Sequence, residues 1–166
     1  MTDNDSVHAL QERLCELLPR LRRFARSLAG NPHDADDVVQ LALERALARA
    51  AQWRAGESLE AWVFGIVRNA WIDELRARGR RQRMFAPEEA GEHVGSSPLE
   101  GQVAAMAVQA AMAKLPPEQR EVIALVLVEG LAYREAAEAL GVPIGTVTSR
   151  LARGRHALQQ MLDDAR

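Results

Sequence analysis

The chain has 166 residues, 48% of them apolar and only 4% aromatic, with a formal net charge of −2. That apolar content can build the core of one ordinary domain or two small ones, and the prevalence of Ala, Leu, Arg and Glu favours helix over sheet. The single cysteine excludes an internal disulfide, the opening MTDNDSVHAL has neither the basic start nor the apolar run of a secretory signal, and the longest apolar stretch, VIALVLV, is too short to span a bilayer, so a cytoplasmic protein without membrane insertion is expected.

Residues 1–7 read as a disordered tail. VHALQERLCELLPRLRRFARSLAG then places Leu10, Leu14, Leu17, Leu21, Phe24 and Leu28 at helical spacings of three and four. Cys15 lies inside this pattern and reads as a small buried hydrophobe. Pro19 is expected to separate or kink two helical pieces, and Gly30 to stop the second. NPHDADDVVQLALERALARA restarts a helix, with Asp34 as its N-cap and Asp36 and Asp37 in the first turn, where the helix dipole favours negative charge. QWRAGE is a loop. SLEAWVFGIVRNAWIDELRARGRRQR is a further helix, capped by Ser58 and ending in Arg76, Arg78, Arg80, Arg81 and Arg83. Trp62, at helical spacing, is expected to be buried; Trp53, in the loop, fits either a core position or an exposed platform.

Residues 84–101 lose the period and carry four glutamates with no base, whereas residues 1–83 hold 14 arginines against 12 acids and residues 102–166 hold seven of each sign. The stretch 84–101 is read as an acidic linker. Helical patterns resume in QVAAMAVQAAMAKL, in PPEQREVIALVLVEG, entered through proline and closed by glycine, and in the last two segments. The fold expected is all-α, with helical domains at 8–83 and 102–166.

The last two helices have helix-turn-helix spacing. Ala137 permits close approach, Gly141 supplies the left-handed turn residue, and Val147 plugs the shared core. At about 100° per residue, Ile144, Val147, Leu151, Leu158 and Leu162 share one sector of the final helix. Thr146, Ser149, Arg150 and Arg153 share another. The stretch EALGVPIGTVTSRLARGR carries one acid at its start and none after it. A recognition helix needs that arrangement, because arginine can bridge guanine O6 and N7, hydroxyls can contact bases or phosphates, and acids would repel the backbone.

LPPEQREVIALVLVEGLAYREAAEALGVPIGTVTSRLARGRHAL resembles region 4 of the extracytoplasmic-function (ECF) sigma factors, the small two-domain members of the bacterial sigma-70 family. DADDVVQLALERALARAAQW and SLEAWVFGIVRNAWIDELRARGRR resemble their region 2, in the same order and separation. The resemblance implies a promoter-specificity factor that is not itself an enzyme and needs no cofactor or metal. Its first domain would bind the β′ clamp helices of RNA polymerase core through positions matching Asp37, Gln40, Glu44 and Arg45. The same domain would capture the melted minus-10 promoter DNA through Trp53, Arg54, Asn69, Arg76 and Arg80. The second domain would bind the β flap and read the minus-35 duplex through Thr146, Ser149, Arg150 and Arg153. The linker would thread along the polymerase, and an anti-sigma factor is implied as a further partner. Leu41 stands where the family usually has Glu, Thr148 where relatives often have a basic residue, and Ala132 where they often have a serine cap.

Three other functions fit parts of the pattern. DADD could be a Mg²⁺ carboxylate cluster, but a second facing acidic cluster is missing and His8, His33, His93 and His156 show no ligand spacing. A plain helix-turn-helix regulator would use residues 117–162 but leave the two region 2 blocks without a role. A sigma-like decoy for an anti-sigma factor would keep the fold without supporting transcription.

Overall fold

The leucine stripe of the first helix is buried along its length in the computed structural model, which describes residues 3–54, 56–84 and 100–166. Helix α1 (Asp3–Ala29) sinks Leu10, Leu14, Leu17, Leu21, Phe24 and Leu28 into the core. Residues 3–7, expected as a disordered tail, are helical; Asp5 suits a helix N-terminus and Val7 is half-buried. The helix also runs on through Pro19, which faces solvent. Burial of the leucines on both sides offsets the hydrogen bond that proline removes. Cys15 is exposed rather than buried, because it lies well over a quarter-turn from the centre of the stripe. Gly30, at φ +80°, ends the helix as expected.

Helix α2 (Pro32–Ala48) begins earlier than expected. Asn31, not Asp34, is its N-cap: its Oδ1 accepts from the Asp34 N–H at 2.9 Å, and its Nδ2 donates to Asp34 Oδ2 at 2.7 Å. Pro32 suits the first helical position, where no intrahelical N–H bond is lost. After a short 3₁₀ turn at Ala50–Gln52, helix α3 (Leu59–Met84) starts under Ser58, whose Oγ accepts from the Ala61 N–H at 3.1 Å. Phe64 of α3 meets Phe24 of α1 edge to face, with ring centroids 5.3 Å apart. Trp71 is buried beneath Arg78, and Trp62 is half-buried.

Most of the linker, residues 85–99, lies outside the described residues; its ends are helical, Met84 closing α3 and Glu100 opening α4 (Glu100–Lys114). Helix α5 (Pro117–Ile123) continues through a π-helical turn, Ala124–Val128, to Gly130 at φ +73°. Arg120 of α5 donates to the carbonyls of Met112, Ala113 and Leu115 at 2.8–2.9 Å and so satisfies acceptors at the end of α4. Helices α6 (Tyr133–Leu140) and α7 (Ile144–Asp164) complete the chain. The described residues contain no strand.

The two helical units are not separate bodies. One hydrophobic cluster runs from Leu10 of α1 to Leu151 of α7. Helix α3 packs on α6 so closely that a Cβ on Gly65 would stand 3.0 Å from the Ala139 carbonyl oxygen. Within the second unit Gly154 plays a similar part, since a Cβ there would stand 2.7 Å from Ile123 Cδ1. Gly154→Leu is therefore expected to lower unfolding stability by about 1–3 kcal/mol through overpacking, read by urea unfolding, with Gly154→Ala costing less because Ile123 can swing aside.

Candidate nucleic-acid interface

The helix-turn-helix is closed by local geometry. Gly141 takes the left-handed conformation (φ 66°, ψ 35°), the Val142 N–H donates to the Ala137 carbonyl at 3.1 Å, and Val147 is completely buried. Leu151 is buried beside it, and Leu158 and Leu162 are half-buried. Ile144 shares their sector but is 53% exposed: periodicity fixes a side chain's direction, and this first residue of α7 lacks cover. On the other side Ser149 and Arg153 are exposed, while Thr146 and Arg150 are half-buried. The Thr148 and Ser149 hydroxyls donate to the carbonyls of Ile144 and Thr146. Pro143 gives α7 no side-chain cap and its first turn has no acid, so the helix presents backbone N–H groups in a setting that favours anions. Arg150 also acts inward: burial pushes the Glu121 carboxyl up, and Arg68, with its Nε 3.2 Å from Glu121 Oε1, and Arg150 oppose that rise.

A second cationic surface runs along α3. Asn69, Arg76, Arg80 and Arg83 are all exposed, and at 100° per residue they fall within one narrow sector. Asp73 flanks that sector, but Arg45 of α2 meets it, Nη1 to Oδ2, at 2.8 Å. Arg78 and Arg81 point elsewhere: Arg78 Nη2 lies 2.9 Å from Asp34 Oδ1, and both arginines bond Glu74. Arg54 is exposed. Trp53 is packed against the core with the Arg13 guanidinium 5.2 Å from its ring centroid, and its buried Nε1 has no hydrogen-bond partner among the described residues. It is thus a half-covered ring rather than an open platform.

The third surface is on α2. Asp37, Gln40 and Glu44 are exposed on one face, whereas Arg45 is turned toward α3 by its pairing with Asp73. Leu41, half-buried, lines a small recess with Asp34, Asp37, Val38, Glu74 and Arg78. The DADD acids are engaged by neighbours: Asp34 by Asn31 and Arg78, Asp37 by His33 at 3.7 Å, and Asp36 by Arg22 at 4.0 Å. Among the described residues no group of three or more His, Cys, Asp or Glu side chains is arranged to hold a metal ion, and no helix is long and apolar enough to cross a membrane.

Sequence reasoning missed the contacts between the two units. The Glu129 side chain is fully buried, and two arginines of α1 hold it. Arg23 donates through Nε to Oε1 at 2.7 Å and through Nη2 to Oε2 at 2.9 Å. Arg20 donates from Nη2 to the Glu129 carbonyl at 2.7 Å. Ser58 Oγ donates to Glu135 Oε2 at 2.6 Å, and Glu135 Oε1 accepts from the Ala132 N–H at 3.2 Å. The glutamate thus serves the start of α6, where Ala132 has no capping hydroxyl. Gly65, inside a well-formed helix, was the one signal in the sequence that something packs there.

The family of this chain follows from comparison with known proteins. Residues 15–81 match Sigma-70 region 2, and residues 105–158 match Sigma-70, region 4. The ECF RNA polymerase sigma factor EcfG of Rhodopseudomonas palustris is 39% identical over 157 residues, covering 93% of this chain and 85% of that one. SigW of Bacillus subtilis, also an ECF sigma factor, is 30% identical, covering 87% and 84%. Among solved structures, the sigma factor RpoE in complex with the anti-sigma factor NepR from Bartonella quintana superposes with a TM-score of 0.78 at 34% identity, over 95% of this chain and 99% of that one. CnrH, solved with the cytosolic domain of CnrY, gives 0.74 at 25% identity, over 97% and 94%. The chain belongs to the ECF RNA polymerase sigma factors.

The Asn31 amide, and after it Arg78, hold the Asp34 carboxyl below the usual carboxylate range. A depressed pKa means the folded state favours the ionised form. Its stabilisation is present above the unfolded value of about 3.9 and is lost as pH falls through the depressed one. Asp34→Ala is expected to cost about 1 kcal/mol at pH 7. Its deficit against the parent should shrink below about pH 4, measured by urea unfolding across pH.

Proposed function

We propose that this chain lends promoter specificity to bacterial RNA polymerase core, performs no catalysis itself, and works in the cytoplasm. The observation that carries this reading is a pair of cationic surfaces suited to different forms of DNA on one chain. The α7 face, with Thr146, Ser149, Arg150 and Arg153, has the shape and chemistry to read duplex in the major groove as a minus-35 element. The α3 stripe, with Asn69, Arg76 and Arg80, suits a single strand, where cations follow the backbone and neighbouring groups receive unstacked bases. Arg54 and the half-covered Trp53 lie before that helix, so we assign them to the edge of the minus-10 site. Asp37, Gln40 and Glu44 of α2 are assigned to the β′ clamp helices, with Arg45 acting beside them by neutralising Asp73. Exposed Leu127, Val128 and Tyr133 offer the β flap an apolar contact.

The domain roles follow: residues 8–83 for core and minus-10 binding, 84–101 as the connection, and 102–166 for minus-35 binding. An anti-sigma factor is proposed as the regulating partner, because RpoE, 34% identical, was solved with one.

Separable losses test the assignments. Asp37→Ala with Gln40→Ala and Glu44→Ala is expected to weaken binding to isolated core about 10-fold or more, measured by fluorescence anisotropy. Arg150→Ala with Arg153→Ala should leave core affinity unchanged yet reduce specific transcription at least 10-fold, at about 1–3 kcal/mol per lost base contact. Tight promoter-duplex binding without core, and no core binding by the parent, would instead establish a plain DNA-binding regulator.

A further inference from the structure

Helix α4 combines two features that rarely coexist. From Gly101 to Ala113 no residue is charged. Of that stretch only Ala111 and Met112 are buried, while Val103, Met106 and Val108 are 51%, 54% and 43% exposed. At about 100° per residue Val108 lies on the same side as Ala111 and Met112, so its exposure means that α4 runs out beyond the body it packs on. The exposed faces of α1 and α7 carry charges instead, such as Glu12, Glu16 and Arg22, or Arg153 and Arg155. A water-facing helix surface is ordinarily polar, and a contiguous apolar one marks a contact.

The side of α4 turned away from the body is ordered. Val103, Met106, Ala110 and Ala113 recur at spacings of three, four and three, which are the a and d positions of a heptad, and all four are exposed. In that register Glu100 and Lys114, both exposed, each take an e position at opposite ends of the helix. When two such helices pair antiparallel, a faces d and e faces e. Val103 then meets Ala113 of the second copy and Met106 meets Ala110, a large side chain against a small one each time. Glu100 meets Lys114 of the second copy at both ends, and Gln109, at g, meets its own counterpart across the two-fold axis. A parallel pair would set neither charge against an opposite one. Ala111 and Met112 hold each body on the far side of its own helix, so the two bodies lie on opposite sides of the pair and do not collide.

We propose that α4 is a self-association surface, through which two copies of this chain pair antiparallel along the Val103–Met106–Ala110–Ala113 seam. The charges select a second copy as the occupant: one helix supplies both the acid and the base at matching ends, as a self-complementary two-fold contact requires. The proposal uses none of the residues assigned to DNA or to polymerase core, so it stands apart from the promoter reading. The seam is only two heptads long, at the small end for an interface, and the pair is therefore a reversible one that exchanges with monomer rather than a permanent dimer.

The test is sedimentation velocity on the full chain from micromolar to submillimolar concentration, with thermal unfolding confirming that every variant folds. The parent is expected to shift from monomer to dimer across that range. Met106→Glu puts an acid into the seam twice per dimer and should raise the dissociation constant about 10-fold or more. Glu100→Lys and Lys114→Glu each set like charges together at both ends and should each weaken pairing about 10-fold, whereas the double variant restores opposite charges and should return to the parent value. A parent that stays monomeric at every concentration would overturn the proposal. So would a parent that pairs equally well with Met106→Glu, or single charge variants that weaken pairing without rescue by the double. A monomeric parent whose affinity for polymerase core falls with Met106→Glu would make the polymerase the occupant of this face instead.

Discussion

Glu129 places a charge where water does not reach, and the two arginines that make this tolerable come from the opposite end of the chain. An ionised carboxylate buried without partners would cost several kcal/mol; with Arg23 bidentate on its oxygens and Arg20 on its carbonyl, it becomes a contact of defined geometry. The position of α1 against the turn after α5 depends on that clasp. The same placement brings α3 onto α6, where Gly65 admits the Ala139 backbone. The arrangement of α3 and α7 in the free protein follows from these contacts.

A chain with a net charge of −2 can meet a polyanion because its charges are sorted. Acids on or near the cationic surfaces are paired with arginines: Asp73 with Arg45, Glu121 with Arg68, Glu74 with Arg78 and Arg81. Asn69, Arg76, Arg80 and Arg153 are left on exposed faces with little competing negative charge. Local potential, rather than the total, is what a phosphate backbone meets.

Local features were the most legible in the sequence. The α1 stripe, the Ser58 cap and the Ala137–Gly141–Val147 turn are each set by residues a few positions apart, and the structure reproduces them. The errors arose where local rules compete or stop short. Pro19 reads as a break only until the burial on both sides of it is known. Asn31 and Asp34 are both good caps, and Pro32 decides between them. Ile144 lies in the apolar sector of α7, but its cover depends on neighbouring elements that periodicity does not see, whereas Cys15 has apolar sequence neighbours yet points away from the α1 stripe. The Arg20–Glu129 contact joins residues 109 positions apart, and its partners looked like ordinary exposed charges in sequence. The candidate site was legible as residue types on helix faces. The diversion of Arg45 to Asp73 and the cover of Trp53 by Arg13 were not, because both depend on how helices pack.

The central claim is that this chain directs polymerase to promoters of two-element design. The most direct measurement adds the protein to sigma-free core polymerase with fragmented bacterial genomic DNA and maps the 5′ ends of the RNA made. The account requires discrete start sites that depend on the added protein and share two sequence blocks, about 10 and 35 nucleotides upstream, one for the α3 surface and one for α7. Core binding with no specific start sites, or start sites sharing no upstream sequence, would contradict it.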